Sequence, residues 1–358
     1  MVQVTIYDVA KLAGVAPSTV SRAFSRPGRV SSRTAERIRA AAQELGYRSD
    51  PILRDLTTRS TQLLGMVVAD IGNPVFLPII RGAEQAAAEA GYALVIVDSR
   101  EEASAEEDAL ERLLPVMDGV VLASSRLSDT SIRRTSRQRP VVVLNRVVSA
   151  VPSIVPDHAL GARQAMDHLS GLGHRRIVYV SGPEASWADG SRWRALLEAG
   201  QDHEVRVRRL GPYAPTVEGG LQAGRDLTET DCTAVIAYND QVALGVMAAR
   251  QRAGVQVPED LSIVGFDNVV VGDLVEPGLT TVAAPLRGLG ASAVTTLLAL
   301  VGDTPGVAGR RPMVLPTRLV VRASTAQRNR NSTSPASGTT RASGSDPNPA
   351  TSTSDGSR

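Results

Sequence analysis

The chain is 358 residues long and 42% hydrophobic, a composition sized for two or three globular domains. No stretch approaches the roughly 20 apolar residues of a membrane-spanning helix, the four histidines show no metal-ligand spacing, and the single cysteine, Cys232, excludes an internal disulfide. The net charge of +2 hides an asymmetry: residues 1–60 carry ten basic groups against five acidic ones, +5, and the remainder carries −3, so attraction to phosphate is concentrated at one end.

Residues 5–24 read TIYDVAKLAGVAPSTVSRAF. Ile6, Val9, Ala10 and Ala13 fall at helical spacing, which gives a first helix one apolar face. Thr5, with Asp8 three residues on, is close to a capping box. Gly14 and Val15 make a tight turn, and a second short helix follows through Ser18, Thr19, Val20, Ser21 and Arg22. Helix, glycine turn, helix is the arrangement that lays a second helix in a DNA major groove. An ordinary helical hairpin would spend that surface on apolar residues, whereas this one offers hydroxyls and a guanidinium. A third helix is expected from after Ser31 to Gly46.

This run, followed by VSSRTAERIRAAAQELGY at 30–47, resembles the headpiece of the lactose-repressor/galactose-repressor family of bacterial transcription regulators. The resemblance implies a DNA-binding headpiece over 1–47 in which Pro17, Ser18 and Arg22 face base edges. Arginine can pair bidentately with guanine, and serine can donate or accept. Thr5, Thr19, Ser21 and Ser31 are better suited to phosphates, contacts that position without specifying; for Thr5 and Ser31, helix capping is an equal alternative. Ala16 stands where the family usually has a capping serine, a loss of about 1 kcal/mol, and Pro17 remains a good first helical residue.

Residues 48–60 form a connector. Asp50 is a good N-cap and Pro51 a good first residue for two helical turns through Leu56, too short to be stable alone in water. The resemblance implies a hinge helix, paired with that of a second protomer, that wedges Leu56 into the minor groove and kinks the duplex. Ser49, Asp50 and Leu53 depart from the family pattern.

From Leu63, short apolar runs (LGMVVAD, YALVIVD, DGVVLA, PVVVLN, RIVYVSG, TAVIAYND, LSIVGFD) alternate with helical stretches such as 81–91 and 159–173. That alternation predicts parallel sheets covered on both faces, in two doubly wound α/β subdomains. GMVVADIGNPVF, GHRRIVYVSGP, AVIAYNDQVALG, VPEDLSIVGFDN and PGLTTV stand in the family's order. They imply a periplasmic-binding-protein-like core over 61–325, for effector binding and dimerisation, with crossings near Asp157, Val282 and Leu315. The N-subdomain is expected over 61–157 and 283–314, the C-subdomain over 158–282 and 315–325. The acidic run EEASAEEDALER at 101–112 reads as a solvated helix face. Residues 326–358 contain no Leu, Ile, Val, Met or aromatic side chain, so a disordered tail is expected.

Ligands of open α/β sheets sit beyond the C-terminal ends of the strands. Asp70, Asn145–Arg146, Asn239–Asp240 and Asp267 all end strand runs. The resemblance places Arg192 at the cleft arginine and Tyr213 at the stacking aromatic, with Asn239 and Asp267 on hydroxyls and Phe76 on the wall; Asp70 and Arg146 complete the effector set, and Asp240 reads as structural. Ala284 replaces a commonly polar residue. Carboxylate, amide, guanidinium and ring suit a sugar, a nucleobase or other metabolite being the alternative. GLGASA at 288–293 matches a dinucleotide fingerprint as a string, but it follows Pro285 rather than a strand and lacks an acidic residue about 20 positions on. No cofactor, metal or catalytic motif is expected. With no leader pattern at the N-terminus, the expectation is a cytoplasmic homodimeric repressor, binding palindromic operator DNA under sugar control; a pure sugar-binding protein and an enzyme are the competing classes.

Overall fold

The computed structural model describes residues 6–25, 30–45, 60–304, 306 and 311–328. Thr5, Gly46, Ser49, Asp50, Leu53, Leu56 and the segment 329–358 lie outside the described residues.

Three helices form the N-terminal unit: α1 (Ile6–Ala13), α2 (Pro17–Ser25) and α3 (Ser32–Glu44). They close around Val9, Ala10, Ala13, Val20, Ile38, Ala41 and Ala42. Gly14 takes a φ of +62°, left-handed backbone that glycine adopts without strain. It ends α1 in a Schellman motif, with Val15 N–H donating to Ala10 O at 3.0 Å and Gly14 N–H to Lys11 O at 3.4 Å. Arg37 Nη2 donates to Ala13 O at 2.6 Å, tying α3 to the end of α1. Ser31 caps α3, its Oγ accepting from Thr34 N–H at 3.4 Å.

The core holds two six-stranded sheets. The first contains β1 (Leu63–Val68), β2 (Ala93–Asp98), β3 (Gly119–Ala123), β4 (Val141–Leu144), β5 (Ser153–Pro156) and β11 (Met313–Leu315), all parallel in the order β11-β5-β4-β3-β1-β2. The second contains β6 (Arg176–Val180), β7 (Arg206–Leu210), β8 (Ala234–Ala237), β9 (Ser262–Phe266), β10 (Thr280–Ala283) and β12 (Arg318–Val320), in the order β12-β10-β9-β8-β6-β7. Only β12, which pairs with β10, runs antiparallel.

Both sheets are covered on both faces, which is why their central strands read as unbroken apolar runs. In β1, Leu64, Met66 and Val68 meet α4 (Phe76–Glu89) and α12 (Leu286–Val301), while Val67 meets α5 (Ala103–Leu113) and α6 (Asp129–Ser136). On the second sheet, α7 (His158–Gly171) and α8 (Trp187–Asp202) cover one face, α9 (Val217–Asp226) and α10 (Asp240–Arg252) the other, and the single turn α11 (Val271–Leu274) follows β9. The fingerprint-like glycine Gly290 has a packing role: a Cβ there would lie 1.9 Å from Ile79 O, so α12 and α4 touch backbone to backbone.

The chain passes between the sheets at Asp157, at Ala284–Pro285 and at Pro316–Thr317. Thr317 Oγ1 donates to Asp157 O at 2.9 Å, joining the first and third passages. Val282 lies within β10 and Leu315 ends β11.

Three details differ from the sequence reading. Edge strand β7, RVRRL, escaped it because its arginines mask the apolar alternation. Glu106 in the acidic run faces inward, 1% exposed, and accepts from Arg126 N–H at 2.9 Å; burial pushes its carboxyl up. Ala326–Arg328, assigned to the tail, are bonded to the core: Ala326 N–H to Ser262 Oγ at 3.1 Å and Arg328 N–H to Leu172 O at 2.9 Å.

Candidate functional site

The headpiece turns one face of α2 outward. Val20 is buried, whereas Ser18 and Arg22, four residues apart and therefore on one face, are exposed. Pro17, Thr19 and Ser21 are half-buried beside them. The helix opens on backbone alone, Thr19 and Val20 N–H donating to Ala16 O at 2.8 and 3.2 Å. Ser31, by contrast, is spent on capping α3.

A cleft of about 760 Å³, part of it open to solvent, lies where the C-terminal ends of both sheets' strands meet. The first lobe lines it with Asn73, Phe76, Glu101, Ser124, Arg126, Asn145 and Arg146, and the second with His158, Trp187, Arg192, Tyr238, Asn239, Phe266 and Asp267. Glu101, Ser124, Asn145 and Asp267 hold φ angles of 63°, 61°, 60° and 110°. Such conformations cost on the order of 1–3 kcal/mol each and gather at functional sites.

Arg192, projecting from α8, is the hub. Its Nη2 meets Asp267 Oδ1 at 3.3 Å, its Nη1 donates to Tyr238 O, and its Nε donates to His158 Nδ1 at 3.4 Å. The guanidinium carbon stands 4.4 Å from the Phe266 ring centre and 5.3 Å from that of Tyr238, within cation–π range. Burial pushes the Asp267 carboxyl up to about 6, against the pull of Arg192. On the opposite wall, Arg146 bonds Ser125 O at 3.1 Å, Leu127 O at 2.5 Å and Asp129 Oδ1 at 2.6 Å, and Arg126 Nε donates to Glu101 Oε2 at 2.6 Å. Each arginine of the cleft is thus paired with a carboxylate.

The structure brings Phe76, Arg146, Arg192, Asn239 and Asp267 to the cleft. Asn239 also caps α10, accepting from Val242 N–H at 2.9 Å. Two expected residues stand elsewhere. Asp70 closes the turn after β1, its Oδ1 accepting from Gly72 N–H at 2.8 Å. Tyr213 packs on the second lobe's core and donates its hydroxyl to Asp226 Oδ2 at 2.7 Å. The second lobe's aromatic lining comes instead from Trp187, Tyr238 and Phe266, facing Phe76 of the first. Trp187 was within reach of sequence reasoning: it follows Ser186, an N-cap just beyond a strand. Asp240 lies beneath the cleft, accepting from Val269 N–H at 2.8 Å and Thr281 Oγ1 at 2.5 Å. His158 had no sequence signal.

A helix-turn-helix unit joined to a two-lobed, polar-lined α/β core defines a ligand-responsive DNA-binding regulator. Residues 5–50 match the family model for bacterial regulatory proteins, lacI family, and residues 166–325 that for the periplasmic binding protein-like domain. The ribose operon repressor of Halalkalibacterium halodurans is 33% identical over 325 residues, 90% of this chain and 97% of that protein. A lac repressor dimer bound to operator and an anti-inducer is similar at a TM-score of 0.70 and 27% identity, over 91% of this chain and 100% of that one. The cellobiose complex of the transcriptional regulator CelR gives 0.67 and 28%, over 90% and 100%. The chain belongs to the lacI family of bacterial regulatory proteins, and it is a transcriptional regulator, not an enzyme. Among the described residues no helix is long and apolar enough to cross a membrane.

Proposed function

We propose that this chain is a cytoplasmic, homodimeric repressor of palindromic operator DNA whose affinity for that DNA is set by an uncharged sugar in the cleft. It divides into a headpiece over 1–47, a connector over 48–60, a core that runs from 61 through the core-bonded residues 326–328, and a tail beyond. Arg22 and Ser18 read base edges with Pro17 as an apolar contact, and Thr19 and Ser21 hold phosphates. Thr5 and Leu56 keep their DNA roles by family match alone.

The observation that carries the reading is the Arg192–Asp267 pair, buried at 8% and 13% side-chain exposure in a cleft shared by two lobes. A ligand that touches both lobes favours their closed arrangement, and closure shifts DNA affinity only by the ligand's differential affinity for the two states, commonly about 1–3 kcal/mol. Pairing of every cleft arginine with a carboxylate favours a neutral ligand over an anion. The cellobiose held by CelR, a relative of similar fold, supports a sugar.

Fluorescence anisotropy on labelled operator, titrated with sugars and then nucleobases, tests this. Arg192→Ala or Asp267→Ala abolishes the response, with about 1.5–3 kcal/mol of ligand affinity lost, while operator binding without ligand survives. A response to purines alone would sink the sugar assignment.

A further inference from the structure

His158 opens α7 directly after the first passage between lobes, beside Asp157, whose Oδ1 accepts from Leu160 N–H at 2.9 Å. It lines the cleft yet is only 4% exposed. Its Nδ1 lies 3.4 Å from Arg192 Nε. A guanidinium keeps its protons and can only donate, so Nδ1 must offer its lone pair and the ring proton must sit on Nε2. Burial, reinforced by the charge of Arg192, holds the imidazole neutral. Among the described residues, nothing partners Nε2, although that atom is buried. Buried polar groups almost always find a partner, so a buried N–H left without an acceptor, on the wall of a cleft, points to one that arrives from outside. Trp187 flanks the ring, its centre 6.1 Å away and tilted by 52°.

Arg192 also sets what stands next to this donor. Its Nη2 meets Asp267 Oδ1 at 3.3 Å while its Nε meets His158, so one guanidinium edge holds an imidazole donor and a carboxylate acceptor side by side.

Taking the cleft as the effector site proposed above, we infer that His158 is a specificity-determining residue whose Nε2–H donates to a neutral oxygen of the effector. Together with Asp267 it reads neighbouring oxygens of a polyol, one as acceptor and one as donor. An amino sugar cationic at the carbon facing His158 is refused, because its N–H bonds would point at another N–H beside Arg192.

Two measurements on the full-length protein test this. In the first, long-range 1H–15N correlation spectra of histidine-labelled protein at pH 7 report which ring nitrogen carries the proton, with His158 assigned from the His158→Gln spectrum. The expected result is a neutral ring protonated at Nε2, whose signal moves when sugar binds. In the second, calorimetry with D-ribose, D-glucose and cellobiose identifies a binder, which is followed by its monodeoxy analogues. One analogue binds wild type about tenfold more weakly, the loss of a single hydrogen bond. His158→Phe binds the parent sugar about tenfold more weakly, again one hydrogen bond, and no longer distinguishes that analogue; His158→Gln, which keeps an N–H, retains the distinction. A proton on Nδ1, a charged ring, or an unchanged deoxy profile in folded His158→Phe overturns the inference. If none of the sugars binds, the sugar reading falls, and the ligand-free spectrum still upholds or overturns the donor by itself.

Discussion

Replacing Asp240 by asparagine should stabilise the core increasingly as pH rises. Asp240 is 1% exposed and accepts two hydrogen bonds, from Val269 N–H at 2.8 Å and from Thr281 Oγ1 at 2.5 Å. Burial, and then the neighbouring Asp267 carboxylate, push its carboxyl up from 3.8 to about 8 against the pull of those bonds and of Arg192. A raised acid holds its proton more tightly in the folded state than in the unfolded one. Its contribution is therefore fully present below the unfolded value and is lost as pH climbs toward the folded one. Each pH unit in that window is worth about 1.4 kcal/mol, so the group removes about 3 kcal/mol between pH 5 and pH 7. Asparagine has the same shape and no charge. Its Oδ1 can accept from Val269 N–H while its Nδ2 donates to the Thr281 hydroxyl oxygen. Urea unfolding of wild type and Asp240→Asn from pH 5 to 8 reads the difference directly. Across that range the variant should gain about 1.4 kcal/mol on wild type per pH unit. Asp267, raised to about 6, adds a slope of the same sign to both proteins and cancels to first order. Parallel pH profiles, or a variant weaker at every pH, would mean that Asp240 stays ionised and anchors Val269 and Thr281 as a charge.

Gly290→Ala should cost about 1–3 kcal/mol by prising α12 from α4, read as a lower urea midpoint; an unchanged midpoint would deny the close approach. Arg22→Ala should lose about 1–3 kcal/mol of specific binding and relax preference at one base pair per half-site. Equal losses on operator and random DNA would make Arg22 a phosphate contact. A chain ending at Thr325 should melt below full length, by about 1–3 kcal/mol for the bonds of Ala326 and Arg328, whereas one ending at Arg328 should match it. Identical melting of all three would mean that these bonds contribute nothing.

Local spacing alone determined the headpiece and the central strands. The interval from Ser18 to Arg22, the apolar face of α1 and the turn glycine at Gly14 are set within a few residues of one another, so their geometry follows from helical periodicity. Strands buried on both faces likewise announce themselves as apolar runs. Tertiary structure decided the rest. Tyr213 and Trp187 are both aromatics beyond strand ends, and only the packing of the second lobe lays one against the outside of its core and turns the other into the cleft. Glu106 and Glu107 are neighbours in one acidic run, and the register of α5 buries the first while exposing the second. His158 gained its tautomer and its open donor from Arg192, 34 residues away, and Arg192 its charge partner from Asp267, 75 residues further on. A side chain's hydrogen-bonding state depends on which groups surround it after folding, and groups that distant meet only when the two lobes are built.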